Sequence, residues 1–130
     1  MGYNYVIGTK SGSITTTTWF NMNPTTYTLT PGTWLVTASC VFTGTSAACT
    51  SVQGAISTSS SAPDSYAART SIPCAGFTFS ATASGTVSFN LTRVFALTSS
   101  QTINLLMTAK FSSGTMSASG SSGMAATHIG

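Results

Sequence analysis

The chain has 130 residues, a length typical of one domain with its own hydrophobic core. Hydrophobic residues make up 42% of the chain and charged residues only 4%; hydroxyl residues replace the missing charge, with 22 Ser and 25 Thr. The four basic residues, Lys10, Arg69, Arg93 and Lys110, are scattered, which excludes the clustered basic surface of a nucleic-acid-binding protein. No apolar run approaches the ~18 residues of a membrane-spanning helix, so we expect no membrane insertion.

The N-terminal part of the sequence predicts an arm followed by short extended segments. Residues 1–12 combine two tyrosines with a link that contains Gly and Ser, and we expect them to form an arm before a single domain over residues 13–130. Residues 13–20 are rich in Thr and end in two aromatic residues, which favours a strand. A second short extended segment precedes the turn predicted at Pro31-Gly32.

The clearest predicted strand covers residues 33–43, where apolar and hydroxyl residues alternate as in a half-buried antiparallel strand. Its predicted core face consists of Trp34, Val36, Ala38, Cys40 and Phe42. Small residues predict a loop at 44–50, and a further strand is expected at 52–59. Residues 60–76 contain two prolines and predict a long loop, a feature that often has a function.

Two more strands are predicted over residues 86–97 and 101–111, each with an apolar face of period two. Arg93 interrupts the apolar face of the first, which indicates either that the strand leaves the core there or that Arg93 has a partner at an interface. Seven or eight short strands with turns between them, and no helical segment, predict an all-β fold. We expect an antiparallel β-sandwich of the jelly-roll type.

The three cysteines, Cys40, Cys49 and Cys74, are an odd number, unlike the even sets of secreted disulfide scaffolds. We interpret them as small buried hydrophobic residues of a protein made in a reducing cytoplasm. A disulfide between Cys49 and Cys74 is the alternative, since both lie in predicted loops.

The sequence lacks the residues of the common catalytic and metal sites. A glycosidase needs two carboxylates, and Asp64 is the one acidic side chain of the chain. One histidine, His128, does not complete a spaced set of zinc or calcium ligands, and no GxSxG motif supports a serine triad. We therefore expect a protein that is not an enzyme and that has no cofactor or metal.

The scarcity of charge predicts that the protein associates with itself. The strand edges of a sandwich need protection by charges, Pro, bulges or coverage, and coverage by identical neighbours suits a chain with few charges. We expect a homo-oligomer, favour a homotrimer, and place subunit contacts at Leu106, Ile129 and Arg93.

Two aromatic residues are candidates for contact with a ligand. Trp19 is followed by Phe20, so in a strand one of the two rings points away from the core, and Tyr66 lies in the predicted long loop. Because sugar rings stack on aromatic side chains, Trp19 and Tyr66 are candidate glycan contacts.

Four segments of the predicted domain occur in the order TYTLTPGTWLVTASCVFT, VQGAISTSSSAP, INLLMTAKFSSGTMSASG and ATHIG. Together they resemble segments of short bacteriophage virion structural proteins with a TNF/C1q-like jelly roll, of the fibre-head or decoration type. The resemblance implies a trimeric, non-enzymatic protein of the virion surface that is made in the bacterial host cytoplasm. Thr127 and His128 stand where that family has basic residues, which argues against docking of this end through charge.

The resemblance and the composition lead to three functional hypotheses. The first is a trimeric capsid decoration or cement protein that docks on the major capsid protein, or on another virion protein, through Tyr3, Tyr5, Val6 and Ile7 of the arm. The second is the receptor-binding tip of a tail or head fibre that recognises a host cell-surface glycan. The third is a free-standing carbohydrate-binding module.

Overall fold

The computed structural model describes residues 4–8, 12–15, 18–23, 27–63, 69–78 and 85–130. None of these residues is helical, and the regular elements are strands. The strands are β1 (Asn4–Gly8), β2 (Gly12–Ile14), β3 (Phe20–Asn21), β4 (Thr28–Leu29), β5 (Gly32–Thr45), β6 (Ala48–Ser57), β7 (Arg69–Thr78), β8 (Gly85–Leu97), β9 (Gln101–Thr102), β10 (Asn104–Phe111), β11 (Thr115–Ala118) and β12 (Gly123–His128).

The first sheet is built around the long strand β5. β8 pairs with one side of β5 along its whole length, and β11 and β12 share the other side. β1 pairs with β12, and β2 pairs with β11. All these ladders are antiparallel, so β1 with β2, and β11 with β12, each behave as one strand that is interrupted near its middle.

The second sheet has the order β3-β10-β6-β7 and is also antiparallel, while β4 and β9 form a small separate ladder. Eight strands remain when β1 with β2, and β11 with β12, are each counted as one strand and β4 and β9 are left out. Numbered in chain order, the first, eighth, third and sixth of these strands lie side by side in the first sheet. The second, seventh, fourth and fifth lie side by side in the second sheet. This connectivity is that of a jelly roll, in which two Greek keys close a sandwich. The prediction of an all-β antiparallel sandwich is therefore confirmed.

The core lies between the two sheets and is formed mainly by alternate residues of β5, β6, β8 and β10. The alternation predicted for residues 33–43 is confirmed, because its predicted core face is completely buried. The second sheet contributes the alternate residues of β10, which are Leu105, Met107 and Ala109. Burial of a large apolar side chain contributes about 1.5–3 kcal/mol, so these two strands supply much of the stability of the fold.

The strand predicted at residues 13–20 is wrong, because this segment crosses from one sheet to the other. Ile14 ends β2 in the first sheet, whereas Phe20 begins β3 in the second. The β-propensity of the Thr-rich run is real, but a single strand cannot belong to both layers of a sandwich.

Two predicted loops are shorter than expected. The loop at 44–50 is reduced to Ser46 and Ala47, since β5 continues to Thr45 and β6 begins at Ala48. The last part of the loop predicted at 60–76 belongs to β7. Pro73 is tolerated there because β7 lies at the edge of its sheet and its ladder with β6 has a register shift at that point.

The segment expected to be a separate arm contributes strands to the first sheet. β1 pairs with β12 from Asn4↔Thr127 to Gly8↔Gly123, and β2 begins at Gly12. Residues 4–8 therefore form an edge of the sandwich instead of preceding it.

Candidate assembly surface

The alternate residues of the first sheet that point away from the core form what we call the open face. The ladders align two rows across β8, β5 and β12, namely Thr92–Thr37–Ala125 and Asn90–Ser39–Gly123. None of the described residues of β5, β8, β11 and β12 on this face is charged. The face is therefore an uncharged surface of hydroxyl, amide and apolar groups.

A groove of about 460 Å³ lies across these two rows and is open to solvent. Small residues of β12, Gly123 and Ala125, leave the space that the groove occupies. The polar side chains that line it are Thr37, Ser39, Asn90 and Thr92. Such a groove offers hydrogen bonds to an uncharged partner and no ionic contact.

The open face becomes more apolar toward the end of β12. Val94 and Ile129 are the exposed large hydrophobic residues of the described chain, at 57% and 45% exposure. Val94 lies opposite Leu35 in the β5–β8 ladder. The amide of Ile129 donates to the Thr33 carbonyl at 2.8 Å, which continues the β12–β5 ladder beyond His128. Exposed apolar patches of this kind mark contact surfaces.

The outer face of the second sheet, here called the covered face, is different. Leu106 of β10 and its ladder partner Ala55 of β6 alternate with the core residues and therefore point away from the core. Both are nevertheless completely buried. Leu106, for which we expected a subunit contact, has no exposed surface through which another chain would touch it.

Asparagine side chains satisfy the polar groups beside this buried leucine. Asn23 Nδ2 donates to the Ile103 carbonyl at 2.7 Å, and Asn23 Oδ1 accepts from the Leu105 amide at 3.2 Å. Asn23 thereby binds the β10 backbone as a neighbouring strand does. Asn21 Nδ2 donates to Asn104 Oδ1 at 3.1 Å.

Arg93 connects the two sheets. Its Nη1 donates to the Ile56 carbonyl of β6 at 2.8 Å, and its guanidinium carbon lies 4.2 Å from the centre of the Phe95 ring. The second contact is a cation–π interaction. The hydrogen-bond partner that the sequence suggested for Arg93 is thus found inside the same chain.

The structure describes some of the residues predicted to contact the capsid or a glycan, and not others. In the β1–β12 ladder Tyr5, Val6 and Ile7 lie opposite Ala126, Ala125 and Met124. Trp19 is half-buried and immediately precedes β3. Tyr3 and Tyr66 lie outside the described residues.

Cys40 and Cys49 are buried thiols, and Cys49 Sγ donates to the Ser51 carbonyl at 3.7 Å, so Cys49 does not form the disulfide that was the alternative. Desolvation by burial raises the pKa of the Cys40 thiol to about 12. A thiol with so high a pKa stays protonated and unreactive near neutral pH. This agrees with the interpretation of these cysteines as small hydrophobic residues.

His128 lies at the end of β12 with its ring 4.7 Å from that of Trp34. Its Nε2 is buried without a hydrogen-bond partner. Gly32, at φ 136°, makes room for the ring, because a Cβ at this position would collide with Nε2. Asp64 lies outside the described residues.

Within the described ranges, no three His, Cys, Asp or Glu side chains form a group that could hold a metal ion. In the same part of the chain no helix has the length and apolar character needed to cross a membrane.

No family model and no curated protein matches the chain. Among solved structures, a chain of the infectious bursal disease virus Gt strain matches with a TM-score of 0.55 and 14% identity, over 99% of this chain and 33% of that chain. A chain of the T13 IBDV viral particle matches with a TM-score of 0.54 and 16% identity, over 99% of this chain and 31% of that chain. A chain of the infectious bursal disease virus VP2 subviral particle matches with a TM-score of 0.51 and 13% identity, over 99% and 33% respectively. The chain therefore spans about a third of the length of these structures, and the likeness is one of fold.

Proposed function

We propose that the protein is a non-enzymatic structural component of a virion. The observation that carries this proposal is the uncharged open face, with Val94 and Ile129 exposed on it, on a jelly roll. An exposed apolar surface without charge is suited to burial between protein subunits. The similarity in fold to chains of virus particles supports the same role.

Within this role we propose a homotrimer that decorates a bacteriophage capsid and lies at the virion surface. The four segments that resemble TNF/C1q-like phage proteins support this assignment, and the open face provides a surface for contact between copies. We place the contact with the major capsid protein, or with another virion protein, at Tyr3, Tyr5, Val6 and Ile7 of the N-terminal segment. Among the described strands β1 pairs only with β12, so its other side is available to a neighbour.

The direct test is to mix the purified protein with undecorated phage heads, sediment them, and image the pellet. Stoichiometric binding at symmetry-related sites supports decoration and gives the number of copies per site. Tyr3→Ala and Val6→Ala remove side chains of the N-terminal segment and are expected to weaken binding, while Lys110→Ala, at an exposed position of β10, serves as the control. Heads that remain bare overturn the decoration role, and equal binding by all three variants overturns the docking site.

The groove on the open face favours one further candidate, the receptor-binding tip of a fibre. The hydroxyl and amide groups of Thr37, Ser39, Asn90 and Thr92, set among apolar lining residues, are suited to hydrogen bonds with the hydroxyl groups of a host cell-surface glycan. In that case Asn90→Ala and Thr37→Ala reduce adsorption to host cells. Trp19→Ala and Tyr66→Ala have the same effect only if the aromatic residues also contact the glycan. Saturable heat on titration of the protein with polysaccharides, without any virion role, would instead identify a free-standing carbohydrate-binding module.

A further inference from the structure

The edge strands of the two sheets differ in how well they are protected against pairing with another chain. Natural edge strands are short, bulged or charged, or contain Pro. β3 has two residues and β1 has five, and β7 combines Pro73 with a register shift. β8 is 13 residues long, contains no Pro, and pairs with β5 without any register shift.

The outer side of β8 is a regular and uncharged template. Of the described strands only β5 pairs with β8, so the backbone groups on the opposite side form a row about 40 Å long at ~3.3 Å per residue. The side chains of β8 on the open face are all exposed or half-exposed and none is charged. The charged residue of β8, Arg93, points to the other face, where it is bound to the Ile56 carbonyl.

We propose that β8 pairs with β8 of a second copy, antiparallel, so that the first sheets of two chains form one continuous sheet. Two identical strands pair in this way about a two-fold axis, with the same residues used twice. Full overlap of the 13 residues places the axis at Leu91. Asn90 then lies opposite Thr92 of the second copy, and Ser88 lies opposite its Val94.

A second copy fits this edge because the pairing carries no electrostatic cost. Like charges directly opposite each other destabilise a ladder, and β8 brings none together in this register, since Arg93 lies opposite Phe89. The contact lies in the plane of the sheet, whereas a contact through the open face is perpendicular to it. Edge pairing therefore does not depend on the proposed capsid role and does not compete with burial of the open face.

A charge-exchange experiment tests both the edge and its register. The double variant N90K/T92K places lysine opposite lysine at two symmetric positions and is expected to lower the association constant about tenfold or more. The double variant N90D/T92K places opposite charges at the same positions and is expected to restore association. Asn90 and Thr92 are exposed, so neither pair of substitutions disturbs the core. Thr37→Lys is the matched control, because Thr37 lies beside Thr92 on the open face but belongs to the central strand β5.

Sedimentation velocity over a range of protein concentrations measures the association, and hydrogen exchange identifies the strand. The wild-type protein is expected to associate beyond its basic unit as concentration rises, with slower exchange of β8 amides. Absence of such association overturns the proposal, as does equal behaviour of N90K/T92K and N90D/T92K. Loss of association in Thr37→Lys assigns the contact to the open face instead. Protection of β8 only in the presence of phage heads assigns the edge to a different chain, and capsid sedimentation reports separately on decoration.

Discussion

The two outer faces of the sandwich are built from the same kinds of residue but have opposite environments. On the covered face Leu106 and Ala55 are completely buried, and Asn23 satisfies the β10 backbone beside them. On the open face Val94 is more than half exposed, and the polar side chains of the groove are open to solvent. The core of a sandwich requires only that the two inner faces are shielded from solvent. Burial on the covered face therefore adds stability to the single chain. The open face remains available for contacts with other chains.

Residues 18–23, which contain β3, border β10 at the edge of the second sheet. Thr108 Oγ1 of β10 donates to the Thr18 carbonyl at 2.7 Å, and the Met22 amide donates to the Leu105 carbonyl at 2.8 Å. Residues 18–23 are therefore held along β10 by backbone and side-chain hydrogen bonds.

The largest expected effect comes from a matched pair of truncations on the two faces. Leu106→Ala leaves a cavity in a completely buried site and is expected to lower the free energy of unfolding by about 3 kcal/mol. Val94→Ala removes an exposed side chain and is expected to change it by less than about 0.5 kcal/mol. Urea unfolding of dilute protein measures both values. Equal losses for the two variants would show that the open face is already covered in solution.

The asparagines of the two faces provide the next comparison. Asn23→Ala leaves the Ile103 carbonyl and the Leu105 amide buried without their partner, which is expected to cost about 2 kcal/mol. Asn90→Ala on the open face removes a group that water already solvates and is expected to be close to neutral. A neutral Asn23→Ala would mean that water replaces the side chain, and hence that the covered face is accessible.

The pH dependence of the free energy of unfolding probes the core between the two faces, through the buried Cys40 thiol. The folded-state pKa of Cys40 is raised from 9.0 to about 12, so above pH 9 the unfolded chain loses this proton while the folded chain retains it. Stability is therefore expected to fall as pH rises from about 9 to 12, by up to about 1.4 kcal/mol per pH unit. Cys40→Ala removes this contribution. The measurement is the slope of the free energy of unfolding against pH for the wild-type protein and for Cys40→Ala. Equal slopes would refute the assignment of the pH dependence to the Cys40 thiol.

The smallest expected effects come from single hydroxyl groups. Ser57 is completely buried on the covered face, where its Oγ donates to the Ala62 carbonyl at 2.8 Å and accepts from the Ser59 amide at 3.0 Å. Ser57→Ala is expected to cost about 1 kcal/mol, whereas Thr37→Val on the open face is expected to be neutral within about 0.5 kcal/mol. Thermal unfolding of Ser57→Ala and Thr37→Val measures the two changes in stability. A larger loss for Thr37→Val would indicate that its hydroxyl has a buried partner.

Sequence periodicity predicted the inner faces of the sandwich well and the outer faces poorly. The alternation along residues 33–43 and 101–111 identifies the core residues because a half-buried strand exposes alternate side chains to different environments. The same alternation assigns Leu106 to an outer face and so suggests exposure. Its ladder neighbours, Asn21 of β3 and Ala55 of β6, come from distant parts of the chain, and no local pattern contains that information.

The sequence by itself determined the all-β class, the residues of the core, and the lack of charge that leaves the open face neutral. Each of these follows from composition or from a local period of two. Only the tertiary structure decided that residues 4–8 pair with β12, that Leu106 on an outer face is buried, and that β8 pairs on one side only among the described strands. These features depend on which distant strands pair, and strand pairing is fixed by the closure of the whole jelly roll.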